Sequence, residues 1–160
     1  MKKNILNPLT ILIIAFLFLT SCKKKGCTDY NADNYDAYAE KSTTCLFRYG
    51  KTVSVTAPNS IDYDPFDAPD LFIRFAKNAS PQWDYITPVV YDSYGFTANF
   101  NADFKFTNEQ WVYEVYDEDT FDANDLVCSG SFNPLQDGVD GKVIIFNGGV
   151  QIQFPYAVKL

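Results

Sequence analysis

The stretch that decides the fold of this chain is a strand that runs directly into an acidic loop. It reads Trp111-Val112-Tyr113-Glu114-Val115-Tyr116-Asp117-Glu118-Asp119-Thr120-Phe121-Asp122-Ala123-Asn124-Asp125. Apolar and polar residues alternate through Tyr116, which is the pattern of a half-buried β-strand. The loop that follows carries five acids in nine residues. Carboxylates at this density repel one another unless a cation lies between them, and calcium suits them because it takes about six to eight oxygen ligands.

A second acidic loop lies upstream and also adjoins a strand. It has two Asp residues six positions apart, and the second runs straight into the predicted strand Leu71–Phe75. In the later loop, two Asp residues are two positions apart and a third lies eight positions after the first. The alternative is that these residues form turns, since Asp is a common turn former. Two such loops together predict one shared metal site with the ligands Asp64, Asp70, Asp117, Asp119 and Asp125.

These two loops resemble those of the C2 domain, the calcium-dependent phospholipid-binding β-sandwich. In that family an early loop carries two Asp six apart before a strand, and a later loop carries Asp-x-Asp with a third Asp eight beyond the first. The resemblance covers about residues 51–160 and departs from the family at Leu71, where Pro is usual. It implies calcium as cofactor and a membrane or surface partner. Aromatic residues at the loop tips, which would contact a membrane or else pack inward, are Tyr63, Phe66 and Phe121.

The rest of the chain from Lys51 also predicts β-structure. Short strands are expected at residues 51–57, 71–76, 88–91, 102–106, 111–116, 126–132, 142–146 and 150–156. Turn residues separate them, and no helical period is present. We therefore predict an all-β, antiparallel, eight-stranded sandwich over residues 49–160. No clear strand precedes Lys51 and an extra one ends near Val158, which favours the C2 variant whose last strand is C-terminal.

Charge and composition exclude several classes of function. From Lys51 onward there are sixteen acidic and six basic residues, a net charge of −10, so nucleic acid is not an expected partner. Histidine is absent, which excludes Ser-His-Asp and Cys-His nucleophile systems. A hydrolase with paired carboxylates fits poorly, because acids crowded in loops suit a metal better than an acid/base pair in separated environments. The chain is therefore not expected to be an enzyme.

The N-terminal residues 1–21 read as an export signal. A positive start at Met1-Lys2-Lys3 precedes an apolar run that is too short for a membrane span. It closes with Leu19-Thr20-Ser21-Cys22, which resembles the bacterial lipoprotein box and implies that Cys22 is acylated as the first mature residue. The expected location is the bacterial cell envelope, with a lipid anchor followed by the basic tether Lys23–Lys25. The alternative is a plain signal peptide whose Cys22 pairs elsewhere.

Residues 22–48 are expected to form a separate segment that precedes the sandwich. The pattern Gly26-Cys27-Thr28-Asp29, then Asn34-Tyr35, then Cys45 resembles a short cysteine-bounded module of Bacteroidetes envelope and secreted proteins, although Ser42-Thr43-Thr44 replaces its usual acidic pair. Export makes a Cys27–Cys45 disulfide the expected state, and Cys128 is left as a small core residue.

One feature inside this disulfide loop leaves two interpretations open. Asp29, Asn31, Asp33 and Glu40 fall in an EF-hand-like register, but Asn34 replaces the expected Gly and no helices flank the loop. The alternative is a polar spacer whose Asn and Asp residues form turns.

Together these features predict an envelope-anchored calcium-binding module. Its acidic loops would bind a membrane or surface partner through calcium. The second hypothesis is a structural or adhesive β-sandwich that calcium stiffens and that contacts protein or glycan without lipid. The only basic residues between Asp70 and Lys142 are Arg74, Lys77 and Lys105. The sequence therefore offers little of the basic patch with which many C2 domains hold anionic lipid.

Overall fold

The structure is a computed structural model that describes residues 23–57, 68–77, 82–93, 97–101, 103–119 and 123–160. Every regular element in these ranges is a β-strand. None of the described residues belongs to a helix long and apolar enough to cross a bilayer.

Twelve strands are defined in the described ranges, and eight of them have four residues or more. In chain order they are β1 (Lys25–Gly26), β2 (Lys41–Ser42), β3 (Phe47–Gly50), β4 (Thr52–Thr56), β5 (Leu71–Lys77), β6 (Tyr85–Ile86), β7 (Thr97–Asn101), β8 (Trp111–Asp117), β9 (Asp125–Phe132), β10 (Gly138–Val139), β11 (Lys142–Asn147) and β12 (Val150–Lys159). The all-β class predicted from the alternating pattern is confirmed.

Two antiparallel sheets form the sandwich. The larger has the order β10-β11-β12-β4-β7, and β3 pairs with the end of β12. The smaller has the order β6-β5-β8-β9. The last strand is C-terminal, as expected, and it lies in the interior of the larger sheet between β11 and β4. The extra strand expected near Val158 is the continuation of β12, which pairs there with β3.

The core follows from the period of two along each strand. On β8 the side chains of Trp111, Tyr113, Val115 and Asp117 are buried, while the residues between them are half-buried. Across the sandwich, Phe132 of β9 stacks on Phe154 of β12 with ring centroids 4.9 Å apart. Full burial of such side chains contributes about 1.5–3 kcal/mol each, so the aromatic residues dominate the packing between the two sheets.

Two predicted strands differ from the structure. The strand expected at residues 102–106 lies instead at Thr97–Asn101, and Lys105 forms only an isolated bridge with Tyr49. The apolar residues that suggested a strand there, Phe104 and Phe106, fill the core from a connecting segment, and both pack on Trp111. Residues 88–91 likewise contribute an isolated bridge, between Val90 and Leu71, and no strand.

A small disulfide-closed segment precedes the sandwich and is fixed to it. Cys27 and Cys45 are bonded as predicted, and β1 and β2 form a two-residue parallel ladder within the segment. Arg48 joins it to the sandwich, because its Nε lies 2.5 Å from Asp33 Oδ1 while its Nη1 donates to Pro134 O at 2.8 Å. The strand β3 crosses the expected boundary between residues 48 and 49.

Candidate metal centre

Antiparallel pairing brings three of the predicted acidic residues to one end of the smaller sheet. Asp70 immediately precedes β5, Asp117 is the last residue of β8, and Asp125 is the first residue of β9. Leu71 pairs with Asp117, and Asp117 pairs with Asp125. Since β8 lies between β5 and β9, the two acidic loops predicted from the sequence leave the same end of this sheet.

A direct hydrogen bond links the two loops. The backbone N–H of Asp70 donates to Asp117 Oδ1 at 2.6 Å, and the backbone N–H of Glu118 donates to Asp70 O at 2.8 Å. Asp117 is 4% exposed, so its carboxylate is a buried polar group. The first acidic loop is therefore joined to the second by the carboxylate that the sequence nominated as a metal ligand.

A third loop, residues 90–93, completes this end and was not predicted from the sequence. Asp70 Oδ1 accepts a hydrogen bond from the backbone N–H of Asp92 at 2.7 Å. Val90 and Leu71 exchange two backbone hydrogen bonds, of 2.9 and 3.1 Å. Asp92 has a φ of 47°, a left-handed conformation that Asp tolerates better than most residues. The sequence signal for this loop is an Asp after a short apolar run, and this pattern is too common to identify a site.

Tyr91, in the same loop, stands beside the acidic groups. The negative charge of Glu118 is the main cause that raises the pKa of the Tyr91 hydroxyl above its ordinary value, and the charge of Asp70 adds to it. Tyr91 is 66% exposed, and Leu126 at the start of β9 is 53% exposed. This end of the sandwich therefore presents apolar surface next to carboxylates.

The second acidic loop is bridged across its base. Asn124 Oδ1 accepts a hydrogen bond from the backbone N–H of Asp119 at 3.3 Å. This contact draws the two ends of the loop together between β8 and β9. It places Asp119 at the same end of the sheet as Asp117 and Asp125.

The donor chemistry of this end suits calcium, but the described residues do not complete a site. Carboxylate oxygens are the hard ligands that calcium prefers. One carboxylate oxygen of Asp70 accepts a hydrogen bond from the backbone N–H of Asp92, and one of Asp117 accepts a hydrogen bond from the backbone N–H of Asp70. In the described ranges, no group of three or more acidic or cysteine side chains is arranged to hold a metal ion. The predicted residues that fall outside those ranges are Cys22, Tyr63, Asp64, Phe66 and Phe121.

The EF-hand-like register in the disulfide loop is occupied by other contacts. Asp29 Oδ1 accepts the backbone N–H of Asn31 at 2.9 Å, as in an Asx turn. Asn31 Oδ1 accepts the backbone N–H of Asn108 at 2.9 Å, and Asp33 pairs with Arg48. These oxygens form turns and fasten the segment to the sandwich, which matches the interpretation as a polar spacer.

A second surface feature lies on the outer face of the smaller sheet. An open groove of about 440 Å³ is lined by Trp83, Val112, Tyr113, Glu114, Ser129, Gly130 and Ser131. The Arg74 guanidinium lies over the Trp83 ring at 4.3 Å and over the Tyr116 ring at 4.6 Å, and it also pairs with Glu114. Aromatic, hydroxyl and carboxylate groups therefore meet in one depression, and its lining residue Glu114 lies three positions before Asp117 on β8.

Comparison with known proteins identifies the fold. No family model and no curated protein sequence matches this chain. Among solved structures, human GIVD cytosolic phospholipase A2 is similar over 72% of this chain and 16% of its own, with a TM-score of 0.55 and 14% identity. The complex of the same human enzyme with methyl gamma-linolenyl fluorophosphonate inhibitor and terbium chloride has a TM-score of 0.53 at 15% identity, over 73% of this chain and 17% of that one.

A third similar structure is matched along most of its own length. BON1-C2B has a TM-score of 0.51 at 10% identity, with 72% of this chain and 92% of that chain covered. The present chain thus spans about 17% of the human phospholipase chains and nearly all of the isolated domain. The likeness shows that the sandwich has a C2-like fold.

Proposed function

We propose that this chain is an envelope-anchored, calcium-binding C2-like module that binds a membrane or surface partner through calcium in its acidic loops. The observation that carries the proposal is the joining of the two loops at one end of the smaller sheet. There the carboxylate of Asp117 holds the backbone of Asp70, and Asp125 pairs beside Asp117. A cation bound at this end would neutralise charges that otherwise repel.

The similarity in fold supports the proposal of a cation-binding module. A C2-like sandwich forms part of human GIVD cytosolic phospholipase A2, which was solved together with terbium chloride. Terbium is, like calcium, a hard cation that prefers oxygen ligands. The neighbours share 10–15% identity with this chain, so the ligand assignment rests on the acidic residues themselves.

The proposed calcium ligands are those of the two loops. Asp70, Asp117, Asp119 and Asp125 are the proposed ligands at described positions, and Asp64 is the proposed ligand from the first loop. The four described side chains are not grouped as a metal site in the structure, so calcium would have to draw their carboxylates together. Bound calcium offers positive charge and open coordination positions to a phosphate or carboxylate of the partner. The hydrogen bond between Asp70 and Asp117 holds the two loops together. The exposed side chains of Tyr91 and Leu126 flank the proposed contact surface.

The anchored part of the proposal rests on the N-terminal sequence. Leu19-Thr20-Ser21-Cys22 follows an export signal, and acylation of Cys22 would hold the protein on a membrane. Burial of the acyl chains stabilises such an anchor by about 0.8 kcal/mol per CH₂ group. Lys23–Lys25 would then lie next to the lipid headgroups.

Calcium titration of the chain from Lys23 to Leu160 tests the proposal. Calorimetry should detect binding, and calcium should raise the melting temperature, because a ligand at a hundredfold excess over Kd adds about 2.7 kcal/mol to stability. Asp119→Asn and Asp70→Asn should each remove most of this gain. The matched control is Asp140→Asn in the β10–β11 turn, where φ is 50° and Asn is tolerated. If Asp119→Asn abolishes the response while Asp70→Asn leaves it intact, the loops do not share a site.

The groove on the outer face favours a second candidate function. A calcium-stiffened structural or adhesive module would contact protein or glycan without lipid, and the groove places Trp83 beside Glu114 and two serines. Glycan array binding that disappears in Trp83→Ala and persists in Asp119→Asn would favour this function over the first.

A further inference from the structure

The outward side chains of the larger sheet differ in chemistry from the rest of the domain. Along β4 and β7, and along β12 as far as Pro155, buried residues alternate with residues that point outward. In the adjoining β11, Ile144 and Phe146 point the same way, because Ile144 pairs with Gln153 and Phe146 pairs with Gln151. We call this surface the neutral face. Apart from Pro155, its positions on β4, β7 and β12 are held by Thr52, Ser54, Thr56, Thr97, Asn99, Asn101, Gln151 and Gln153.

The neutral face lacks the charges that are frequent elsewhere in the domain. From Lys51 onward the chain has sixteen acidic and six basic residues. Among the outward residues of the neutral face, all of which the structure describes, Lys142 of β11 is the one charged side chain. Uncharged amides and hydroxyls cost less to remove from water than carboxylates or ammonium groups. This surface therefore suits a partner that is polar and uncharged.

Strand register places these side chains in two parallel rows. Each row begins with an exposed apolar side chain of β11, which is Phe146 at 73% exposed or Ile144 at 37%. It then crosses β12, β4 and β7, and at about 4.8 Å between strands it is about 14 Å long. Apolar contact at one end and hydrogen-bonding groups along the row match the C–H face and the hydroxyl edge of a sugar ring. The rows read Phe146-Gln151-Thr56-Thr97 and Ile144-Gln153-Ser54-Asn99.

The amides of the two rows keep their hydrogen-bonding capacity. Within the described ranges, no residue bonds to the side-chain amide of Gln151, Gln153 or Asn99. By contrast, the amide of Gln110, outside the neutral face, donates to Ser131 Oγ at 2.6 Å. A primary amide offers two N–H donors and a carbonyl acceptor, so each one can pair with neighbouring hydroxyls of a sugar.

A depression adjoins the neutral face at β10. It has a volume of about 280 Å³ and is lined by Asp137, Val139, Asp140, Lys142 and Ile144. Val139 is 65% exposed and pairs with Lys142, so the depression continues the β11 side of the neutral face. The Asp140 carboxylate can accept hydrogen bonds from hydroxyls, while Val139 and Ile144 supply apolar walls. Small-ligand pockets begin at about 300 Å³, so a depression of this size suits a single sugar unit.

We propose that the neutral face binds a neutral polysaccharide, whose chain lies along the two rows and places one sugar unit in the depression beside β10. Gln151, Gln153 and Asn99 bond to sugar hydroxyls, and Phe146 packs against the C–H face of a ring. The net charge of −10 from Lys51 onward disfavours an acidic polysaccharide. A protein partner suits this surface less well, because the centre of a protein interface is apolar and depleted of Ser.

This inference does not depend on the proposed function. The neutral face contains none of the predicted calcium ligands, and it belongs to the larger sheet, whereas Asp117 and Asp125 belong to the smaller. It is also distinct from the groove lined by Trp83, which lies on the outer face of the smaller sheet. Binding should therefore persist when a chelator removes calcium.

Retention on immobilised polysaccharides tests the proposal. The full lipidated protein in detergent micelles and EDTA is passed over amylose, xyloglucan and galactomannan, and over the acidic polymers alginate and polygalacturonate. We expect retention on at least one neutral polymer, elution by its free oligosaccharide, and no retention on the acidic polymers. Retention on none of the neutral polymers, or equal retention on the acidic ones, overturns the proposal. Retention that requires calcium assigns the binding to the acidic loops and overturns it as well.

Matched variants locate the contact. Gln153→Ala and Phe146→Ala should each weaken binding by about fivefold or more, because each removes contacts made by an outward side chain. Gln110→Ala and Tyr38→Ala remove an exposed amide and an exposed aromatic ring elsewhere, and they should stay within about twofold of the unsubstituted protein. Equal melting temperatures show that all four variants are folded.

Two outcomes assign the binding or the surface differently. Loss of retention in Trp83→Ala, with full retention in Gln153→Ala and Phe146→Ala, places the glycan in the groove of the smaller sheet and overturns the proposal. Light scattering that detects a dimer which Phe146→Ala dissociates, without retention on any polysaccharide, assigns the neutral face to a second copy of the chain. That result also overturns the proposal.

Discussion

The Asp117 carboxylate accepts a hydrogen bond from the backbone N–H of Asp70, with Oδ1 and N 2.6 Å apart. The two residues are 47 positions apart in sequence. Asp117 is buried in the same inward-facing row as Trp111, Tyr113 and Val115. Asp117, a predicted metal ligand, therefore also joins two loops. Substitution of this residue by Ala and by Asn separates the two roles.

Asp117→Ala should lower the free energy of unfolding by about 1–3 kcal/mol, because the Asp70 N–H would lose its acceptor at a buried position. Asp117→Asn keeps an oxygen acceptor, so it should cost less stability while it still reduces calcium binding. Urea denaturation without calcium measures the first effect and calorimetry the second. Asp125→Ala, at an exposed position, is the control and should change stability by less than about 0.5 kcal/mol. Equal losses in the Ala and Asn variants would contradict the structural role.

Arg48 fastens the disulfide-closed segment to the sandwich. It pairs with Asp33, donates to the carbonyls of Pro134 and Leu135, and lies over the Tyr156 ring at 4.6 Å. Arg48→Lys lacks the planar fork that makes these contacts together, and it should destabilise the protein by about 1–3 kcal/mol.

Hydrogen exchange locates the effect of this substitution. The amide of Asn108, which donates to Asn31, should exchange faster in Arg48→Lys when the segment loosens. Lys51→Ala, at an exposed position between β3 and β4, serves as control. Unchanged protection of Asn108 would show that Arg48 does not hold the segment in place.

Because the Cys128 thiol is buried, it should make the stability of the protein depend on pH in the alkaline range. Among the described cysteines it is the free one, it is 8% exposed, and burial raises its pKa from 9.0 to about 11. The folded state therefore keeps the thiol protonated at pH values where the unfolded chain ionises. Its contribution to stability is complete below pH 9 and is lost as pH rises toward 11.

Two measurements check this behaviour. A thiol reagent at pH 8 should modify Cys128 in denaturant and leave it unmodified in the native protein. Between pH 9 and 11, the melting temperature of Cys128→Ala should fall less than that of the unsubstituted protein. Burial also raises the pKa of Tyr113, and the charge of an ionised Cys128 adds to this rise, so the difference between the two proteins reports the thiol together with its effect on Tyr113. Equal falls would contradict the expected protonation state.

Substitution of Cys22 tests the lipid anchor. Cys22→Ser removes the thiol that acylation requires, so the protein should leave the membrane fraction and its mass should lack the acyl groups. Ser21→Ala keeps the thiol and should remain membrane-bound. If Cys22→Ser keeps the same fractionation and mass, the lipoprotein interpretation is wrong.

Local sequence determined the strands of this protein because strand formation depends on neighbours two positions apart. The alternation through Trp111–Tyr116 placed alternate side chains in the core, and Gly148 and Gly149 supply the left-handed turn between β11 and β12. The same local logic was wrong at residues 102–106. There, Phe104 and Phe106 fill the core from a segment that pairs with β3 only in an isolated bridge at Lys105, and periodicity does not distinguish such a segment from a strand.

The acidic residues of the two loops were predicted as ligands from their spacing and from the family resemblance, whereas their arrangement depended on the sheet. Only the pairing of β5 with β8 brings Asp70 to Asp117, and only the bridge between Leu71 and Val90 brings Asp92 to Asp70. The sequence also could not show that Asn31 meets Asn108, which sets the segment at the end opposite the acidic loops. These contacts join residues 22 to 77 positions apart. Their geometry is fixed by strand register and by the packing of the whole sandwich, so no local pattern contains it.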